Sequence, residues 1–163
     1  MTLIEVMVSV LILAIGLLGA AAIQLNALRY TDSARMTSQA SFVAYDMMDR
    51  IRANVDGGGG VLANYALASL AAAPPENPNN AVAQDLADFA VNVRNFAGTT
   101  GETSRIQIAR PPNNFRNEVT ITIVWDDSRA AAANDLRIGA TSGNNLQTFE
   151  LSSRIGVDVV LTP

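Results

Sequence analysis

The first 29 residues, MTLIEVMVSVLILAIGLLGAAAIQLNALR (1–29), decide the fold because they combine a long apolar run with one early acid. Residues 6–28 carry no charge, and a helix of that length rises roughly 35 Å, enough to cross the ~30 Å hydrocarbon core of a bilayer. No basic segment precedes the run, which is also too long for the apolar part of a typical secretory signal. The stretch therefore predicts a membrane-spanning helix with Glu5 beside its apolar part.

The apolar run continues into a one-sided helix. Beyond Arg29 apolar residues recur at spacings of three and four, and the arginines before Gly57–Gly60 indicate where the helix ends. One helix from about Thr2 to about Asn54 is predicted, with a protruding half (1–28) and an amphipathic half (29–54). The head-packing stripe predicted on the second half is Met36, Ala40, Val43, Met47 and Ile51, widened by Phe42, Tyr45 and Met48.

The rest of the chain predicts a connector, a second helix and a sheet. Within the connector (55–100), Asn80 is the predicted N-cap of a helix at about 81–97, which Gly98 ends. Over 101–163 apolar residues recur at every second position. This alternation predicts three or four antiparallel strands in a sheet that is solvated on one side. The fold class is therefore α+β, with a head of residues 29–163 in which the sheet packs on the long helix. The inward-facing strand residues are predicted to be Ile106, Ile108, Val119, Ile121, Ile123, Trp125, Phe149, Leu151, Ser153, Ile155, Val157, Val159 and Leu161, with Thr120 and Thr122 facing solvent.

The composition excludes several kinds of chemistry. The chain has no histidine and no cysteine, which removes cysteine nucleophiles, histidine acid–base catalysis, the usual zinc sites and disulfides. Its net charge of -4 gives no indication of a basic surface that would bind nucleic acid. We therefore expect no enzyme, no cofactor, no metal and no nucleic-acid partner.

Two groups of charged residues are possible ligand sites, but neither has the pattern that such a site requires. The acidic group lacks the spacing of a calcium-binding loop, and the basic group lacks the aromatic side chains that accompany single-strand binding. Solvated loop and strand positions are the simpler interpretation. The acidic group is Asp126, Asp127, Asn134 and Asp135, and the basic group is Arg105, Arg110 and Arg116.

Glu5 has two interpretations that the residues alone leave open. In the local one, Thr2 and Glu5 form a capping box, and the acid lies favourably in the first helical turn. In the intermolecular one, a carboxylate at the edge of hydrocarbon needs a counter-ion, and the α-amine of Met1 on another copy lies at the same depth. A glutamine at position 5 separates them, because a capping box tolerates it and charge pairing does not.

The stretch TLIEVMVSVLILAIGLLG (2–19) resembles the N-termini of type IV pilins and their pseudopilin relatives. The resemblance implies the type IV pilin fold, removal of a leader by prepilin peptidase just before Met1, and N-methylation of Met1. It also implies that Glu5 pairs with the residue-1 amine of an adjacent subunit. Met1 departs from the family pattern, in which phenylalanine is usual. In assembled pilins this zone of the helix often opens, so Gly16 and Gly19 are candidate hinges, although small residues also suit close helix packing.

A second block of sequence narrows the resemblance to one type of pilin. ASFVAYDMMDRIRANVDGGG (40–59) followed by Tyr65 is similar to the end of the long helix in PilV-type minor pilins, as are IGLLGAAAIQ (15–24) and FELSSRIGVDV (149–159). The implied partners are copies of itself or other pilins, the inner membrane before assembly, and the assembly machinery. The implied location is an inner-membrane span with a periplasmic head, then an extracellular pilus. A major pilin, a type II secretion pseudopilin, and a membrane-anchored binding domain that never polymerises remain alternatives.

Overall fold

The computed structural model describes residues 2–55, 61–109, 116–128 and 145–156. The α+β arrangement predicted from the sequence, a long N-terminal helix with an antiparallel sheet, is confirmed. Met1 and the end of the predicted last strand, with Val157, Val159 and Leu161, lie outside the described residues. The elements in chain order are α1 (Leu3–Asn54), two 3-10 turns (Leu62–Tyr65 and Leu70–Ala72), α2 (Ala81–Ala97), a 3-10 turn (Gly98–Thr103), β1 (Arg105–Ala109), β2 (Arg116–Asp126) and β3 (Leu146–Gly156).

Helix α1 is 52 residues long, which corresponds to about 78 Å at 1.5 Å per residue. It runs without a break from the apolar N-terminus into the head and ends at Val55, whose N–H donates to the Ile51 carbonyl at 3.1 Å. Residues 3–28 of this helix are all exposed, so this half protrudes from the head. The buried residues of α1 all lie in its second half.

Helix α2 has the end signals that the sequence predicted. The Asn80 side chain accepts a hydrogen bond from the Ala83 N–H at 3.2 Å, which confirms it as the N-cap. Gly98 follows the last turn with φ 59°, a conformation that side-chain-bearing residues rarely adopt, and so ends the helix. The Arg94 guanidinium then donates to the Leu70 carbonyl at 3.0 Å and pairs with Glu102, which fixes α2 to the connector and the turn after it.

In the described part of the chain the sheet has three strands in the order β1-β2-β3, each pair antiparallel. The register places Ile121 between Ile106 of β1 and Leu151 of β3. The connector covers part of the β1 edge, since Leu67 and Ile106 exchange both backbone hydrogen bonds. The alternating residues of β2 that face α1 and α2 are all buried, namely Val119, Ile121, Ile123 and Trp125.

Three expectations about burial were wrong. Phe42 and Tyr45 do not widen the core stripe, because they lie on the face of α1 turned away from the sheet and are 72% and 52% exposed. Met48 is buried as expected, and Ala44, which the sequence analysis did not select, joins it because its small side chain lies on the core-facing side. Thr122 was expected in solvent but is 2% exposed, since it lies on the central strand between the longer Arg105 and Glu150.

Candidate assembly surface

The protruding half of α1, Leu3–Leu28, is the largest exposed apolar surface in the described part of the chain. Its residues are all exposed, from Val6 and Val8 at half exposure to Leu3 at 79%. Among the described residues, α1 is the one helix long and apolar enough to cross a membrane, which is consistent with membrane anchoring. An apolar surface of this length is not stable in water and needs either lipid or protein to cover it.

Glu5 lies exposed in the first turn of this half. The Thr2 carbonyl accepts from the backbone N–H groups of Glu5 and Val6 at 3.1 and 3.4 Å, but the Thr2 side chain makes no cap hydrogen bond. Within the described residues the Glu5 carboxylate has no ion pair and no side-chain hydrogen bond. The capping-box interpretation therefore lacks its expected geometry. Met1, the proposed counter-ion and methylation site, lies outside the described residues.

Gly16, Gly19 and Ser9 of the protruding half all lie within the unbroken helix α1. α1 is continuous through Gly16 and Gly19, and a Cβ built at either position meets nothing within 4 Å. A single chain therefore has no steric need for these glycines, and their opening in a filament stays a prediction. Ser9 donates its hydroxyl to the Glu5 carbonyl at 2.7 Å, which satisfies that donor within the helix itself.

The second half of α1 is bound into the head by the stripe predicted for it. Ala40, Met47 and Ile51 are almost fully buried, and Met36 and Val43 are half-buried against the same core. Helix α2 and the inner face of the sheet supply the opposite side of that core. The head therefore packs on the second half of α1, and no described residue covers the first half.

A buried polar network locks the end of α1 to the connector and α2. Asp85 of α2, 8% exposed, accepts from Arg50 Nη1 at 3.1 Å, from Asn54 Nδ2 at 2.9 Å and from the Tyr65 hydroxyl at 2.7 Å. Arg50 also pairs with Asp46 at 2.9 Å and with Asp88 at 3.0 Å. We call Arg50, Asn54, Tyr65 and Asp85 the Asp85 network.

The electrostatics of the Asp85 network keep its donors protonated. Burial, followed by the hydrogen bond to Asp85, raises the pKa of Tyr65 from 10.0 to about 12. The hydrogen bond to Asp85 likewise raises the pKa of Arg50 above its ordinary value. Arg50, Asn54 and Tyr65 belong to the second block of the pilin resemblance, so the network gives that block a physical role.

Sequence reasoning missed Asp85, although a signal was present. Asp85 lies three residues after Val82 and four before Phe89, so it falls within the buried stripe of α2. A carboxylate at such a position requires donors from elsewhere in the chain, because burying it without partners is costly. The period of α2 gives no indication of which residues, 20 to 35 positions earlier, provide those donors.

Only part of each charged group considered as a ligand site lies among the described residues. No three metal-ligating side chains lie close enough together there to hold an ion, and Asp127 instead accepts from the Ser33 hydroxyl at 2.5 Å. Arg105 is half-buried on β1. Asn134, Asp135, Arg110 and the side chain of Arg116 lie outside the described residues.

Comparison with protein families, with curated proteins and with solved structures found no match to this chain.

Proposed function

We propose that this protein is a structural subunit of a type IV pilus-like filament, with the type IV pilin fold and most similar to a PilV-type minor pilin. Its activity is assembly through the protruding half of α1, with the Glu5 carboxylate paired to the N-terminal amine of a neighbouring subunit. The proposal assigns the chain no catalytic role.

The observation that carries the proposal is the combination, in one continuous helix, of an apolar half that no described residue covers and a carboxylate with no partner among the described residues. Either feature alone fits a simple membrane anchor. Together they favour assembly, because a neighbouring subunit can cover the apolar surface and bring a cation to the carboxylate in the same contact, which lipid alone does not provide. The sequence resemblance over residues 2–19, which includes Glu5, supports the same conclusion.

The proposed mechanism follows from what surrounds the protruding half before and after assembly. Before assembly, residues 3–28 lie in the inner membrane and the head lies in the periplasm. On assembly the helix leaves lipid for a bundle of identical helices, so the gain in apolar burial is small and packing provides little axial register. The Glu5–amine pair supplies that register, because opposite charges fix the relative height of two otherwise uniform apolar rods.

Processing is part of the proposal. Prepilin peptidase would release the N-terminal amine by cutting just before Met1, and methylation of Met1 would follow. The neighbours in the filament would be copies of the chain or other pilins. A methylated Met1 at the N-terminus of the filament-bound protein, found by mass spectrometry, is the expected chemical record of this processing.

The experiment that tests the function is Glu5→Gln in the full chain. Glutamine keeps the size and helix preference of the side chain but cannot pair with a cation, so we expect at least a tenfold loss of the protein from sheared surface filaments. Quantitative mass spectrometry of filaments and of the membrane fraction measures this, and the membrane level should stay unchanged.

Glu150→Gln is the matched control. Glu150 is an exposed acid on β3, far from the protruding half, and its replacement should leave filament incorporation at the wild-type level. Equal incorporation of the Glu5→Gln protein would contradict charge pairing. A wild-type protein that stays wholly in the membrane fraction would favour the membrane-anchored binding domain instead.

A further inference from the structure

A cavity of about 420 Å³ lies against α1 at the point where the protruding half meets the head. Its lining changes along the helix axis, because leucines lie at the end nearer the N-terminus and charged residues follow within the next two turns. We call it the neck cavity. The described residues that line it are Leu25, Leu28, Arg29, Thr31, Asp32 and Arg35.

The two arginines of the neck cavity differ from the other arginines on the described helices. Arg50, Arg52 and Arg94 are each in an ion pair with a carboxylate of the head. Arg29 and Arg35 have no ion pair among the described residues, and Arg35 is exposed. The neck cavity therefore holds two guanidinium groups that no described carboxylate contacts.

Asp32 lies between these two arginines and lowers the charge of the neck cavity. It is three residues from Arg29 and three from Arg35, so the three side chains follow one another along one side of α1. Asp32 is half-buried and is itself engaged in an interaction. Two arginines and one aspartate leave a formal net charge of +1, which favours an anionic ligand.

The neck cavity lies at the depth of the lipid headgroups when residues 3–28 span the membrane. The headgroup layer on each side of a bilayer is roughly 5–8 Å thick. Arg29 directly follows Leu28 at the edge of the hydrocarbon, and Arg35 lies about 10 Å beyond Leu28 along the axis. Side chains of a helix tilt toward its N-terminus, which is the direction of the membrane here, so the long Arg35 side chain can reach back to the headgroups. Tyr30, 52% exposed, belongs to a residue type that is enriched at this interface.

The order of groups in the neck cavity matches the order of groups in a phospholipid. A guanidinium group binds a phosphate through paired hydrogen bonds. Leu25 and Leu28, 52% and 68% exposed, offer apolar contact to an acyl chain on the membrane side of the arginines. A soluble phosphate would contact the arginines alone. A zwitterionic headgroup brings an ammonium group that the arginines repel, whereas a headgroup with a net negative charge complements the cavity.

We propose that the neck cavity binds an anionic phospholipid, with Arg29 and Arg35 on the phosphate and Leu25 and Leu28 against the first part of an acyl chain. This inference rests on the membrane location of residues 3–28 in the proposed function. It adds a ligand that neither the Glu5 pair nor the burial of an apolar span requires. The bound lipid fixes the depth of the subunit in the membrane and has to be released when the helix leaves lipid for the filament.

Native mass spectrometry of the full chain in non-ionic detergent tests the site, with phosphatidylglycerol and phosphatidylethanolamine of identical acyl chains as the probes. We expect the wild type to retain phosphatidylglycerol at least threefold more than phosphatidylethanolamine. The double variant Arg29→Gln/Arg35→Gln should lose this preference, because the apolar contacts remain and the charge does not. Its unfolding midpoint, measured by Trp125 fluorescence, should equal that of the wild type.

The double variant Arg52→Gln/Arg154→Gln is the matched control. It removes the same charge from the other end of the head, where Arg52 donates to Ser153, and it should keep the wild-type preference. Loss of the preference in this control would show a general effect of charge and would overturn the inference. Equal retention of the two lipids by the wild type would overturn it as well.

Glycerol phosphate, which has the phosphate but no acyl chain, separates a lipid site from a site for soluble phosphates. A large molar excess should leave most of the bound phosphatidylglycerol in place, and its complete displacement would overturn the assignment to lipid. The measurement uses isolated subunits, so a protein that fails the Glu5 test of filament assembly can still pass this one. A wild type recovered outside the membrane fraction would refute both the proposed function and this inference.

Discussion

The two halves of α1 are one continuous helix, yet they bury their residues in opposite ways. The more apolar half, Leu3–Leu28, is exposed throughout, whereas the more polar half, Arg29–Asn54, holds all the buried residues of the helix. Globular proteins usually bury their large apolar residues. The exposed apolar residues of the first half therefore do not stabilise the fold of this chain in water. The head therefore folds on the second half, and we propose that the first half contacts a partner outside the chain.

The largest effect that distinguishes the halves is expected from truncating apolar side chains. Ile51→Ala should lower the free energy of unfolding of the head by about 2–5 kcal/mol, because it leaves a cavity between α1 and the core. Leu13→Ala, in the protruding half, should change it by less than about 0.5 kcal/mol, since Leu13 is 62% exposed and no described residue covers it.

Denaturant unfolding of the full chain in non-ionic detergent measures both variants. Trp125, the single tryptophan and a buried residue of β2, reports on the head by its fluorescence. A destabilising effect of Leu13→Ala as large as that of Ile51→Ala would show that the two halves are one folding unit. It would contradict the claim that the head folds on the second half alone.

The next effect concerns the polar connection at the end of the second half. Asp85→Asn removes the charge that accepts from Arg50, Asn54 and Tyr65, and we expect a loss of about 2 kcal/mol in the free energy of unfolding. Asp88→Asn is the control, because Asp88 is one-third exposed and contributes a surface pair worth less than about 1 kcal/mol. The same fluorescence assay compares them, and equal losses would argue against the Asp85 network as the lock between α1 and α2.

A smaller effect follows from the raised pKa of Tyr65. Below pH 10 both the folded and the unfolded chain hold the phenolic proton, but between pH 10.0 and about 12 only the folded chain retains it. The stability that this group contributes therefore falls as pH rises, by up to about 1.4 kcal/mol per pH unit in that window. Tyr65→Phe should have a flatter stability profile between pH 9.5 and 11.5 than the wild type, by circular dichroism of denaturant unfolding. Parallel profiles would contradict the raised pKa of the buried Tyr65 hydroxyl.

Local patterns were sufficient to predict the elements of the fold. The period of three and four beyond Arg29, the N-cap at Asn80, the glycine at 98 and the alternation over Val119–Trp125 each describe contacts that a short segment makes with one surface. Such patterns depend on side-chain direction within a helix or strand, which the chain order fixes. They gave the α+β class and the face of the sheet that is buried.

Long-range contacts were not predictable in the same way. Phe42 and Tyr45 are apolar and close to the core stripe in sequence, but an apolar residue type does not reveal whether a partner inside the chain covers it. Asp85 meets Arg50 and Tyr65 only because the connector returns α2 to the end of α1. Likewise, the burial of Thr122 depends on which residues the strand register places beside it.

A filament reconstruction at side-chain resolution that contains this chain tests the Glu5 pairing most directly. We expect a Glu5 carboxylate oxygen to lie within about 4 Å of the N-terminal nitrogen of a neighbouring subunit, inside a bundle formed by residues 3–28. A filament in which Glu5 faces solvent, or bonds only to its own helix, would contradict it.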